Sequence, residues 1–306
     1  MNTEKLFSEF VREFSEKDGS VEAFAVADGK NILFEHHFNR FGYKLVRNIY
    51  SHTKSFASTA IGIAVDEGLM SLGDRVSDCF PEYFENTDDP RKLDITLEDV
   101  LTMRSGFGTP LLMGVGSNGR TVAYPDWLGY VLSHPLKHDP GTVFTYSNGD
   151  TYLAGRMLEK KVGTTLQDYI YGRFMRKAGT DYPVWEHDPQ GHTFPASCLY
   201  LNISDQLKLG QLYLNRGMLN GERIISEKWA DLASTPKLFL ADGTGYGYQI
   251  WIYPPEFGRI FRADGAYGQI TAVLPEKGLV VSIQCPEYGQ PEKTIARFND
   301  YLKKFD

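Results

Sequence analysis

Between Phe56 and Val65 the chain is nearly all apolar: Phe56, Ala57, Ala60, Ile61, Ile63, Ala64 and Val65, with Gly68 standing where a helix stops. A helix with so little polar surface has to be buried, so the rest of the chain must wrap around it. Its head reads Tyr50-Ser51-His52-Thr53-Lys54-Ser55. Residues three apart share a helix face, which lets the Ser51 hydroxyl meet the Lys54 amine. A serine becomes a nucleophile at neutral pH only when a base takes its proton. A lysine is such a base once burial disfavours its charged form. The unpaired N–H groups of the first turn also suit an oxyanion forming beside Ser51.

Composition narrows the class. The 306 residues are 42% hydrophobic and 23% charged, as in a globular protein with a substantial core. The formal charge of −7 and the absence of a basic run argue against nucleic acid or an anionic membrane surface as the main partner. No stretch approaches the roughly 18 apolar residues of a membrane span. Met1 to Phe7 has no secretory core, and Cys79, Cys198 and Cys285 lie far apart with no Cys-x-x-Cys. They read as buried reduced thiols in a cytoplasmic protein.

Along the chain, Leu6, Phe7, Phe10, Val11 and Phe14 have amphipathic helical spacing over 3–17. Strands at 21–27 and 31–38 flank an Asp28-Gly29 turn. From about 72 to 189 short helices and loops take over. Thr96 caps a helix at 97–103, Asn148 to Lys161 is helical, and Thr164 caps 166–177. Ser197 to Leu201 is a short strand, and Ser204 caps a helix reaching Leu214. Four antiparallel strands follow at 246–253, 258–263, 268–274 and 279–285, joined at Pro254-Pro255, Asp264-Gly265 and 275–278. A helix at 291–305 closes the chain. The pattern predicts an α+β fold: an antiparallel sheet flanked by N- and C-terminal helices, built from 1–76 and 190–306, with a mostly helical domain, 77–189, inserted.

Tyr146-Ser147-Asn148 stands before one of those helices. A phenol and an amide on such a loop can relay a proton and hold a substrate carbonyl; alternatively Asn148 is simply the helix N-cap. Ser51-x-x-Lys54 followed by Tyr146-x-Asn148 resembles the serine penicillin-recognising fold, in its class C β-lactamase-like branch. That branch includes esterases, D-amino-acid peptidases and 6-aminohexanoate-dimer hydrolases. The resemblance extends to Leu69–Val76 with Phe80-Pro81, to Asp94–Gly106, to Pro140-Gly141 before Phe144, and to Leu212–Leu214 with Asn220–Glu222. It implies catalytic roles for Ser51, Lys54 and Tyr146, and a substrate-orienting role for Asn148. Whether Lys54, Tyr146 or the pair is the base stays open.

The third family motif, Lys-Thr-Gly or His-x-Gly on a strand beside the serine, is altered here. Its counterpart is Ala263-Asp264-Gly265 on a shortened turn, so an acid replaces the cation that would hold a substrate carboxylate. Arg262 and Asp264 share a strand face and are expected to pair. By position the second oxyanion donor is the backbone N–H of Ala266, to within about one residue. The following Tyr267-Gly268-Gln269 resembles the esterase and 6-aminohexanoate-dimer-hydrolase branch.

Other candidates are weaker. His134 and His138 lie among prolines in a loop, His36-His37 lies on a strand, and His52 points off the Ser51–Lys54 face. Gly243-x-Gly245-x-Gly247 lacks the strand and helix of a nucleotide fingerprint. No cofactor or metal is expected. The sequence therefore points to a serine hydrolase forming an acyl-enzyme on Ser51, a carboxylesterase or amidase acting on a small ester or amide. The alternatives are a β-lactamase or D-amino-acid peptidase, or a catalytically weak binding or assembly protein with the same fold. Oligomeric state is left open.

Overall fold

Alternation along the first strand decides the layering. In Ala23–Ala27, Phe24 and Val26 face one way while Ala23, Ala25 and Ala27 face the other, and every residue is buried. The structure, a computed structural model, describes residues 3–17, 21–39, 44–115, 124–287 and 291–304. Eight strands form one antiparallel sheet in the spatial order Ile32–His37, Ala23–Ala27, Leu279–Gln284, Gln269–Leu274, Phe261–Gly265, Trp251–Ile252, Gly245–Tyr246 and Leu238–Phe239. Ala23 pairs with Gln284 and Ala27 with Val280, so the two chain ends meet at adjacent strands.

Helices Thr3–Lys17 and Pro291–Leu302 cover the first face, setting Leu6, Phe7, Phe10, Phe298 and Leu302 on Phe24, Val26, Ile270, Val281 and Ile283. The Phe10 and Phe24 rings stack with centroids 3.9 Å apart. The alanine face receives helix Ile203–Leu214 at close range: a Cβ on Gly210 would come within 2.4 Å of Val280. The predicted α+β architecture is the observed one.

Among the described residues between 77 and 189 the regular elements are helices, except for short strand Val184–Trp185, which joins Leu199–Leu201 and Arg47–Asn48 in a second small sheet. We propose the division into 1–76 with 190–306, and 77–189, as the folding units. Helix Thr53–Asp66 lies between them, buried from Thr53 to Ala64. Phe56, Ala57, Ala60 and Ile61 belong to one apolar cluster with Leu97, Leu101, Tyr152 and Leu153 of the helical part and Phe261 and Ala263 of the sheet. Among the described residues no helix is long and apolar enough to cross a membrane.

Several sequence expectations shift. The caps are Ser147, Thr165 and Asn202, not Asn148, Thr164 and Ser204, because each accepts the N–H two or three residues on. The helix after Thr165 passes into a π-helical turn at Tyr171–Met175. The predicted strand 246–253 breaks in two, since Gln249 takes a left-handed φ of 61°. Asp264-Gly265 is not a turn. The strand runs to Gly265, which pairs with Gln269, and the turn is Ala266-Tyr267-Gly268, where Tyr267 and Gly268 have φ of 63° and 87°.

The break at Gln249 fastens the two parts together. Its amide nitrogen lies 3.2 and 2.8 Å from the carbonyls of Val100 and Leu101. Its side-chain oxygen accepts from Thr151 at 2.7 Å, and its own carbonyl accepts from Ser55 at 2.7 Å. Gln249→Met keeps the volume but takes the side-chain partner from the buried Leu101 carbonyl and Thr151 hydroxyl, while the Val100 carbonyl keeps the Met103 N–H at 3.3 Å. Chemical denaturation is expected to show a loss of about 2–4 kcal/mol; a change below about 0.5 kcal/mol would contradict the role given to this amide.

Candidate active site

The nucleophile candidate is presented by a strained turn. Asn48 accepts the Tyr50 N–H at 2.8 Å, Tyr50 takes a φ of 49°, and one 3-10 turn, Tyr50–His52, leads into the helix. A tyrosine in the left-handed region costs of order 1 kcal/mol and persists only where its surroundings fix it. Here they do: the Tyr50 hydroxyl donates to Glu287, and its ring lies 5.1 Å from that of Tyr267. Ser51 is thereby left partly open to solvent while Lys54, one turn on, is 1% exposed.

Three atoms surround the Lys54 Nζ: Ser51 Oγ at 2.9 Å, Asn148 Oδ1 at 2.7 Å and the Ala196 carbonyl at 2.7 Å. The Asn148 amide is oriented by its nitrogen, which donates to the Leu112 carbonyl at 3.0 Å. It can reach Lys54 because Ser147 has taken the capping duty. Burial pulls the Lys54 pKa down to about 7. A neutral amine has two hydrogens and one lone pair. Asn148 and Ala196 accept the hydrogens, and the lone pair is left for the Ser51 O–H.

Tyr146 completes the group. It lines the same cleft as Ser51, and burial pushes its pKa well above the ordinary phenol value. Its ring stacks on Trp251 at 5.6 Å, stands edge-on to Tyr246 at 6.3 Å, and lies 5.0 Å from the Lys54 Nζ. Strand Phe261–Gly265 runs alongside. Gly265 passes so near the serine turn that a Cβ there would sit 2.1 Å from the Ile49 carbonyl oxygen, which explains the glycine in steric terms. Asp264 and Arg262 are ion-paired at 2.9 Å, as their shared strand face predicts, and Arg262 also lies over the Tyr253 ring at 4.3 Å.

All seven sequence candidates fall in one region: Ser51, Tyr146, Asp264, Gly265 and Ala266 line a cleft of about 510 Å³, with Lys54 and Asn148 behind Ser51. The cleft is also lined by Met113, Leu240, Asp242, Thr244, Trp251 and Tyr267, which sequence reasoning did not single out. The Ala196 carbonyl was missed too, because a backbone acceptor leaves no residue-type signal. Residues 116–123, in the segment that follows Met113, lie outside the described residues. His52 is packing, as expected: it is fully buried and its pKa is pushed down to about 3, so it stays neutral. The three cysteines are buried and free.

An antiparallel sheet carrying a helical insert, with serine, lysine and tyrosine meeting between them, defines a β-lactamase-type serine hydrolase fold. The chain belongs to the Beta-lactamase family, whose model matches residues 7–297. It is 26% identical over 327 aligned residues to protein Rv1367c of Mycobacterium tuberculosis (strain ATCC 25618 / H37Rv), covering 84% of this chain and 82% of that one. A candidate 6-aminohexanoate-dimer hydrolase from Bacillus anthracis superposes with a TM-score of 0.78 at 19% identity, over 97% of this chain and 81% of the other. A family VIII carboxylesterase superposes at 0.74 with 17% identity, over 99% and 97%. At these identities the structural likeness speaks for the fold.

The Lys54 environment makes a kinetic prediction. Below pH 7 the amine is protonated and could not accept a serine proton; above it the lone pair is free to do so. For a small ester, kcat/KM is expected to rise with pH through an inflection near 7 and to stay level until the alkaline range, since Tyr146 keeps its proton. Lys54→Met should remove that limb and lower kcat/KM by about 100-fold or more. An unshifted profile in Lys54→Met would assign the base elsewhere.

Proposed function

We propose that this protein is a serine hydrolase that forms an acyl-enzyme on Ser51, acting on small esters or amides. The observation that carries the reading is the coordination of Lys54: its Nζ lies 2.7 Å from Asn148 Oδ1, 2.7 Å from the Ala196 carbonyl and 2.9 Å from Ser51 Oγ, so a neutral amine that donates to the first two has its lone pair left for Ser51. Ser51 Oγ attacks the substrate carbonyl carbon as its proton passes to Lys54. The oxygen of the tetrahedral intermediate faces the backbone N–H groups of Ser51 and Ala266, an interaction worth roughly 3 kcal/mol per donor. Collapse breaks the bond to the leaving group, which takes a proton from the Lys54 ammonium through the Tyr146 hydroxyl. Water, giving up a proton along the same route, then releases the acyl group as a carboxylic acid and restores Ser51. Asn148 holds the amine in register throughout.

Among substrates of this fold, the charge arrangement favours esters and uncharged amides over β-lactams. Arg262 is held by Asp264, so no free cation faces a substrate carboxylate. Three buried, free cysteines fit a reducing compartment, and we place the protein in the cytoplasm on that ground.

Incubation with a small activated acyl ester is expected to give a mass increase on Ser51 equal to the acyl group. Ser51→Ala should lose the adduct and at least about 1,000-fold in turnover. Ester hydrolysis by Ser51→Ala at the wild-type rate would refute the mechanism. Nitrocefin turnover matching the ester rate would overturn the preference against β-lactams.

A further inference from the structure

The charges around the cleft select among substrates in a way that the shared chemistry does not. Its lining includes Asp242, Asp264 and Arg262 and is otherwise uncharged among the described residues, a formal balance of −1. The one guanidinium is engaged on two sides, by Asp264 at 2.9 Å and by the Tyr253 ring at 4.3 Å, with only 16% of its side chain exposed. Asp242 takes the Thr244 N–H at 2.9 Å. Its carboxylate is held below the usual range first by backbone hydrogen bonding to Thr244, so it is charged at neutral pH. The wall also holds Met113, Tyr146, Leu240, Trp251, Tyr267 and Ile295, whose ring faces and aliphatic surface suit the apolar part of an organic cation.

We propose that this cleft selects substrates that carry a positive charge, an ammonium or alkylammonium group on the acyl chain, over neutral and carboxylate-bearing ones. Asp242 supplies the unpaired negative charge, and Asp264 acts by occupying Arg262. The proposal rests on the reading of Ser51 as the nucleophile only for where the substrate lies; the charge preference belongs to the cleft wall.

The test compares phenyl esters of one acyl length that end in a trimethylammonium, a tert-butyl or a carboxylate group. The expected order of kcat/KM at low salt is ammonium first, by about threefold or more over tert-butyl, with carboxylate at least about tenfold below ammonium. The spread should shrink toward 1 M salt, where the screening length falls to about 3 Å. Asp264→Asn and Asp242→Asn should each reduce the ammonium-to-tert-butyl ratio. Should Asp264→Asn misfold through loss of its partner, Asp242→Asn and the wild-type salt series still decide. The same order is expected for binding of the corresponding non-hydrolysable N-methyl amides to Ser51→Ala by calorimetry, a measurement independent of turnover. A carboxylate compound that reacts and binds as well as the tert-butyl one, or ratios unmoved by both substitutions, would overturn the proposal. Failure of Ser51 labelling with the charge order intact in binding would instead overturn the hydrolase reading alone.

Discussion

A lysine amine buried within hydrogen-bond reach of a serine hydroxyl is held in place by everything around it. Solvation would return Lys54 to an ordinary surface ammonium, so the site depends on keeping water from its Nζ while still offering acceptors for its hydrogens. Both requirements are met by parts of the chain that share no local sequence. Asn148 comes from the helical segment, the Ala196 carbonyl from the link leading back to the sheet, and the apolar shell from both. A rearrangement that separated those parts would wet the amine and cost the base before it cost much of the fold.

The same logic explains the backbone strain beside the nucleophile. Tyr50 and Tyr267 both sit at positive φ, their rings meet, and the turn carrying Tyr267 also carries Ala266. Gly265 lets that strand end press against the Ile49 carbonyl. The turn carrying Ser51 and the turn carrying Ala266 are thus fixed against each other by backbone contact, a stiffer arrangement than side chains alone would give. On the same strand Arg262 is occupied by Asp264, so the cation nearest the Ser51 turn is already paired.

Much of this was legible beforehand. The Ser51–Lys54 spacing, the apolar run behind it and the Tyr146-x-Asn148 tripeptide were enough to locate the centre, because helical periodicity and local turn chemistry act over a few residues. The Arg262–Asp264 pair followed from strand alternation. What failed was of a different kind. Caps fell one or two residues away, at Ser147, Thr165 and Asn202, because several polar residues in a row compete and packing chooses among them. The break at Gln249 was invisible because its cause is a set of carbonyls and a threonine about a hundred residues or more away. Asp264-Gly265 looked like a turn because that pair often makes one; contact with Ile49 kept it in the strand.

The sequence by itself determined which elements form and which residue types are available for chemistry, since those follow from short-range periodicity and side-chain identity. The tertiary structure alone decided that Lys54 is dry, that its Nζ meets Asn148, the Ala196 carbonyl and Ser51 together, and that Arg262 is occupied. Each of those is a property of atoms brought together from distant parts of the chain, and solvation and electrostatics depend on such distances.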